Sequence, residues 1–248
     1  MYLYILFSYC GVKYNGSAIQ KNNNNTIQGI LTKIFNKINK SNYNINLLSR
    51  TDKHVSAYEQ IAFFESKKNF DYKHTVKKLN LTLKAHKENI YVIKMGFLSN
   101  EKPYRNVKKT YIFKFSLIRN AVIEKTHEYL LCDNAFAKIN NIIQILNNKR
   151  FDYFMFCKQA EYNKRPTNQI LNIEAFQLKQ DNIDTINIEF TGSCFLYKQI
   201  RFICGTIKKI LEKNITINQS NIVEMFCKYK YVGKGQALYL KKFHLTLN

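Results

Sequence analysis

Acidic residues are scarce in this chain. Asp and Glu number 17 against 39 Lys and Arg in 248 residues, a formal net charge of +22. That excess is beyond what solubility requires and predicts a polyanionic partner, because each phosphate neutralised by Lys or Arg releases condensed counterions. Part of the charge reflects a composition rich in Lys, Asn and Ile throughout. The six cysteines, at positions 10, 132, 157, 194, 204 and 227, include no Cys-x-x-Cys pair. Most lie in apolar periodic stretches, where a thiol behaves as a small buried hydrophobe, so neither disulfides nor a zinc site is expected. No two histidines have the spacing of a metal site, and there is no glycine-rich nucleotide loop, so no metal or small-molecule cofactor is expected. Long apolar runs are missing too. Met1 to Tyr9 is apolar but too short to span a bilayer, and it has neither a basic leader region nor a cleavage signature. It reads as a strand of a cytoplasmic protein with no membrane partner.

What is present is a regular alternation of elements. Tyr2 to Tyr9 is rich in aromatic and β-branched residues, as a buried strand should be. After the loop bracketed by Gly11 and Gly16 and the run Asn22 to Asn25, Thr26 can cap a helix with apolar residues at Ile27, Ile30, Leu31, Ile34, Phe35 and Ile38. Two strands follow, at Ile45 to Leu48 and Gln60 to Phe64, then a helix carrying Val76, Leu79 and Leu83, then a strand from Ile90 to Met95. The order β-α-β-β-α-β is that of a ferredoxin-like unit. Residues 98 to 109 are polar and basic, contain Pro103, and look like a connector. Beyond it the pattern predicts a strand at Thr110 to Phe115, a helix at Asn134 to Asn148, a basic loop at Lys158 to Arg165, and strands at Gln169 to Leu178 and Thr185 to Phe190. A long helix from Phe195 to Lys213, a short one near Asn221 to Cys227, a Gly-Lys-Gly turn and a closing strand, Leu238 to Leu245, complete the chain. The expected fold is therefore α+β, with two ferredoxin-like units whose antiparallel sheets meet at a central basic cleft. The expected division is 1–100, carrying an acidic turn, and 101–248, supplying a tyrosine strand and an arginine helix.

Three positions stand out for chemistry. Asp52 lies in a polar turn between two apolar strands, flanked by Arg50, Thr51 and Lys53. Such a carboxylate ordinarily caps backbone N–H groups, yet it is also presented at the mouth of a sheet. Arg201 lies beside the apolar stripe of the long helix, one turn before Gly205. A helical glycine costs about 1 kcal/mol relative to alanine, so it marks a close approach by another element, and an arginine beside it is placed to reach a carboxylate. Tyr111 alternates with Phe113 and Phe115 in its strand. Its ring is either core or a platform on which an extruded base stacks.

Several segments resemble the TruA family of tRNA pseudouridine synthases. Tyr9 to Gly16, with Thr26-Ile27-Gln28, is similar to the family's opening segment and the start of its first helix. Arg50-Thr51-Asp52, with Val55 and Ala57, matches the motif whose aspartate is catalytic. Lys109-Thr110-Tyr111-Ile112-Phe113 is similar to the strand that supplies the active-site tyrosine, and Phe195 to Gly205 to the helix whose arginine pairs with the aspartate. Ala237 to Leu240 resembles the closing motif. The chain departs from the family at Cys10 (usually aspartate), Ser17-Ala18 (Trp-Gln), Ser49 (glycine), Lys53-His54 (Ala-Gly) and Ser56 (histidine). Two glycines are thereby lost around the acidic turn, and glycine is the residue that serves positions with φ > 0.

The resemblance implies isomerisation of uridine to pseudouridine in the tRNA anticodon arm, at positions 38 to 40, by a homodimer without cofactor. Asp52, held by Arg201, would act as nucleophile or as base on the ribose. Tyr111 would stack on the flipped uracil. Arg50, Thr51, Lys53, Arg105, Lys109 and Phe195 would bind the RNA, largely through shape and phosphate. Two rivals are a catalytically inactive tRNA-binding protein of the same fold and a metal-dependent nuclease using Asp52 and His54.

Overall fold

A computed structural model describes every residue except 24, 100, 102, 104–106, 157–166, 181, 182, 246 and 248. Arg105 and most of the basic loop at 158 to 165 therefore lie outside the described residues. The protein is a mixed α/β chain whose sheets are mostly antiparallel. It forms two compact units, one of Met1–Val107 with Tyr239–Asn248, the other of Lys108–Leu238.

The first unit contains β1 (Tyr2–Tyr9), α1 (Ile27–Asn39), β2 (Asn46–Leu47), β3 (Ser56–Glu65), α2 (Tyr72–Ala85) and β4 (Ile90–Ser99). β1 lies between β4 and β3, antiparallel to both, and β2 pairs antiparallel with β3. The helices begin where the sequence provides a cap. The Thr26 hydroxyl accepts from Gly29 N at 3.3 Å, and the Asp71 carboxylate accepts from His74 N at 3.0 Å, satisfying donors that a helix start otherwise leaves unpaired. The α1 stripe buries Ile27, Leu31, Ile34 and Phe35. Phe35 packs on Phe64 of β3 with ring centroids 4.9 Å apart, and Phe70 and Tyr43 close the cluster. Side chains of this size contribute about 1.5–3 kcal/mol each when fully buried.

Residues Tyr239 to Asn248, expected with the second half, belong to the first unit. The reason is backbone pairing. Strand β11 (Leu238–Phe243) runs parallel to β3, with Tyr239 opposite Ser56 and Leu240 opposite Ala57.

The second unit is built on β5 (Lys109–Ser116), β9 (Asn172–Gln180) and β10 (Ile183–Gly192), with β10 antiparallel to both neighbours. A two-residue strand that periodicity did not reveal, β6 (Glu128–Tyr129), runs parallel to β5. Helices α3 (Ala135–Leu146), α4 (Gln199–Glu212) and α5 (Ile222–Lys228) and a separate ribbon of β7 (Arg150–Asp152) and β8 (Asn168–Ile170) complete it. Helix α4 starts four residues later than its apolar pattern suggests, because Lys198 takes a left-handed φ of 59°.

Candidate active site

In the first unit the acidic turn joins β2 to β3 and is sewn to the loop that follows β1. Thr51 N donates to Ser17 Oγ at 2.7 Å, Ser17 N donates to Thr51 O at 3.1 Å, and the Tyr9 and Thr51 hydroxyls are 2.8 Å apart. Gly11 N donates to Ser56 Oγ at 2.9 Å, and Val55 N to Asp52 O at 3.2 Å. From beneath, the buried Gln60 amide donates to Ser49 O at 3.1 Å. Burial pushes the Tyr9 phenol up to about 12, so it stays a neutral hydrogen-bonding group at physiological pH.

The two glycines of the facing loop are required by space. A Cβ on Gly11 would stand 2.0 Å from Val55 O, and Gly16 has φ +102° with Thr51 O 3.2 Å from its Cβ position. Arg50 and Lys53 are exposed on the turn, while Thr51 and Asp52 are half-buried. Asp52 is thus carried on a loop clamped on both sides, with cations at the surface beside it.

Of the two positions where the resemblance suggested a lost glycine, one takes the left-handed conformation. His54 has φ +69°, whereas Ser49 is not in that region. Left-handed backbone costs a non-glycine residue about 1–2 kcal/mol, and the turn offsets part of it locally: His54 Nδ1 is 2.6 Å from Val12 O, to which it donates. The departures at Ser17 and Ser56 also have structural roles, since both hydroxyls accept backbone N–H groups that hold the loop. Tyr9, Ser17, Ser56 and Gln60 are supports that motif reading alone did not assign. Their signal is chemical: hydroxyl and amide groups buried in apolar strands or, for Ser17, in the loop after β1 need partners.

In the second unit, Tyr111 sits on β5, buried to 6 % exposure, with its ring edge-on to Phe195 at 5.2 Å and 83°. Phe195 is half-buried and precedes α4, and Leu196 N is held by Gln199 Oε1 at 2.8 Å. Lys109, at the start of the same strand, is buried and lies opposite Gly192.

Arg201, in the first turn of α4, is bonded reciprocally to the Gly-Lys-Gly turn. Its Nε donates to Gly233 O at 2.8 Å, and Gly233 N donates to Arg201 O at 2.8 Å. The close approach that Gly205 announced is this turn: a Cβ there would stand 2.4 Å from Gly233 N and 2.5 Å from Tyr231 O. The turn is anchored in its own right. Lys234 N donates to Glu128 Oε2 at 2.6 Å, and the buried Glu128 is paired with Lys208 at 3.1 Å. The short strand β6 thus supplies the carboxylate that fixes the turn, and the turn fixes the guanidinium axis.

Comparison with known proteins matches residues 151–230 to the tRNA pseudouridine synthase family model. The chain is 30% identical over 216 residues to tRNA pseudouridine synthase A of Borrelia duttonii (strain Ly), covering 85% of this chain and 84% of that protein. It is 30% identical over 217 residues to the protein of that name in Borreliella afzelii (strain PKo), with 85% and 84% covered. It is 27% identical over 246 residues to that of Phytoplasma mali (strain AT), with 96% of each covered.

Proposed function

The chain belongs to the tRNA pseudouridine synthase A family, and on that premise we propose that it isomerises uridine to pseudouridine in the tRNA anticodon arm, at positions 38 to 40. The protein is an isomerase acting on tRNA. In the reaction the C1′–N1 bond breaks, the uracil turns, a C1′–C5 bond forms, and the proton displaced from C5 is balanced by one gained at N1.

Asp52 is the catalytic carboxylate, acting as nucleophile or as base on the ribose. Arg201, arriving from the other half of the chain, holds it ionised and aimed; Tyr111 packs against the turned uracil. Arg50, Thr51, Lys53, Arg105, Lys109 and Phe195 bind the surrounding RNA. The architecture is a pair of ferredoxin-like units around a basic cleft, and the working form is a cytoplasmic homodimer that needs no cofactor. The first unit supports the architectural reading, because a β4-β1-β3 order with β2 beyond β3, all antiparallel, is the strand order of that unit. The observation that carries the catalytic reading is the clamped presentation of Asp52, since a carboxylate whose neighbours are tied to β1, to the loop after it and to β3 beneath is preorganised in the way that catalysis rewards.

The test is tritium release from tRNA labelled at uridine C5. Wild type is expected to release it, and Asp52→Asn to bind tRNA normally while losing release by at least about a thousandfold. Binding without release by wild type would leave an inactive RNA binder; unchanged turnover in Asp52→Asn would reject the role assigned to the acid.

A further inference from the structure

A groove of about 1260 Å³ lies wholly within the first unit, between the outer side of α2 and strand β4. It begins at Tyr9, Cys10 and Ser56, whose hydroxyls or neighbours hold the acidic turn, and runs away along the edge of the sheet. Its walls expose large apolar and aromatic surfaces: Tyr91 is 61% exposed, Leu81 61% and Tyr58 45%. Its rim carries Lys73, Lys77, Lys84, Lys87 and Lys94, against the single carboxylate of Glu88. That carboxylate is already committed to Tyr14 at 2.8 Å and Lys13 at 3.1 Å. An apolar floor of π-faces rimmed by cations is the chemistry of a surface that stacks bases and tracks a phosphate backbone.

From this we infer that the groove binds an unpaired stretch of RNA continuous with the nucleotide delivered to the acidic turn, its bases against Tyr91 and Tyr58 and its phosphates along Lys77 and Lys84. The inference rests on the isomerase reading for the identity of the RNA but not for the groove's chemistry. A second copy of this chain fits the surface poorly. A two-fold contact sets the same patch against itself, which here opposes lysines to lysines. Strand addition at β4 is also obstructed: the outward N–H and C=O of Val92 are both taken by the Asn80 amide, each at 2.8 Å, and the register of β4 on β1 shifts at the same level. An occupied, bulged edge does not template another strand.

The experiment uses the full chain and two probes, a labelled oligouridylate and an unmodified tRNA transcript, titrated across salt concentrations. Tyr91→Ala is expected to weaken oligouridylate binding roughly tenfold, and Tyr91→Phe to restore it, because stacking needs the ring and not the hydroxyl. Lys77→Ala with Lys84→Ala is expected to lower the slope of log K against log salt by about 1.4, two single-strand phosphates. The same change at Lys33 and Lys37, exposed on α1, leaves the slope nearer wild type. Tritium release at limiting tRNA is expected to fall roughly tenfold in Tyr91→Ala and to recover in Tyr91→Phe. Groove variants that bind oligouridylate like wild type overturn the inference and leave the isomerase standing. Wild type that shows the groove effects without any tritium release supports the groove and removes the isomerase. A particle mass that halves in Tyr91→Ala by sedimentation velocity assigns the surface to self-association and overturns the inference.

Discussion

Replacing Gly205 by alanine tests whether the α4 contact aims Arg201. The new Cβ would be 2.4 Å from Gly233 N, against an ordinary contact of at least 3.4 Å, so the Tyr231–Gly233 backbone must retreat by 3.4 − 2.4 = 1.0 Å. The atoms met are backbone, and no flexible side chain can yield in their place. A retreat of that size stretches the two 2.8 Å bonds between Arg201 and Gly233 to lengths at which they no longer hold, along with the 3.2 Å bond from Tyr231 N to Thr206 Oγ1. Overpacking costs about 1–3 kcal/mol, and each lost hydrogen bond about 1 kcal/mol. Better helix propensity returns about 1 kcal/mol. The net expectation is a loss of roughly 3–5 kcal/mol, read as a lower urea midpoint. At a temperature where the variant is fully folded, single-turnover tritium release should fall about a hundredfold, the order expected when a positioning contact shifts by about 1 Å. A variant that gains stability shows that the turn does not press on Gly205. One that loses stability but keeps its rate severs the link between the turn and the arginine's aim.

Two further outcomes follow from particular side chains. His54→Val places a β-branched residue at φ +69° and removes the bond to Val12 O; a destabilisation of about 2 kcal/mol is expected by urea titration, whereas His54→Gly should be close to neutral. The His127 imidazole is held down to about 4 by burial first and by the Lys114 charge second. A depressed folded pKa means that the unfolded chain binds the extra proton first, so this histidine's contribution is intact above about 6.5 and is lost as pH falls through about 4. His127→Gln should flatten that part of the stability profile, and a profile identical to wild type would refute the assignment.

The helices were legible because each combines an apolar stripe with a local stop or start, as in the Thr26 cap of α1. The start of α4 was not, because Phe195 and Leu196 continue the apolar period while the backbone at Lys198 breaks it; periodicity reports burial and not φ. Strand β6 escaped for a related reason, since two residues carry no period and Glu128 is buried only because Lys208 and Lys234 N meet it. Among the candidate residues, Asp52, Arg201 and Tyr111 could be singled out from motif and spacing. The hydroxyls of Tyr9, Ser17 and Ser56 could not, since their partners are 34 to 45 residues away in sequence. The glycine at 205 was informative because its cost in a helix demands a cause, and the cause is the turn at Gly233.

The parallel pairing of β11 with β3 has a consequence for how the protein is made. Ser56 and Ala57, the residues that follow the acidic turn, find their neighbours Tyr239 and Leu240 more than 180 positions downstream. A nascent chain emerging from the ribosome can assemble β1, β3 and β4 early, but the flank of the turn stays bare until Tyr239 and Leu240 have been translated. Products terminated before Tyr239 would therefore leave Ser56 and Ala57 without their parallel partners.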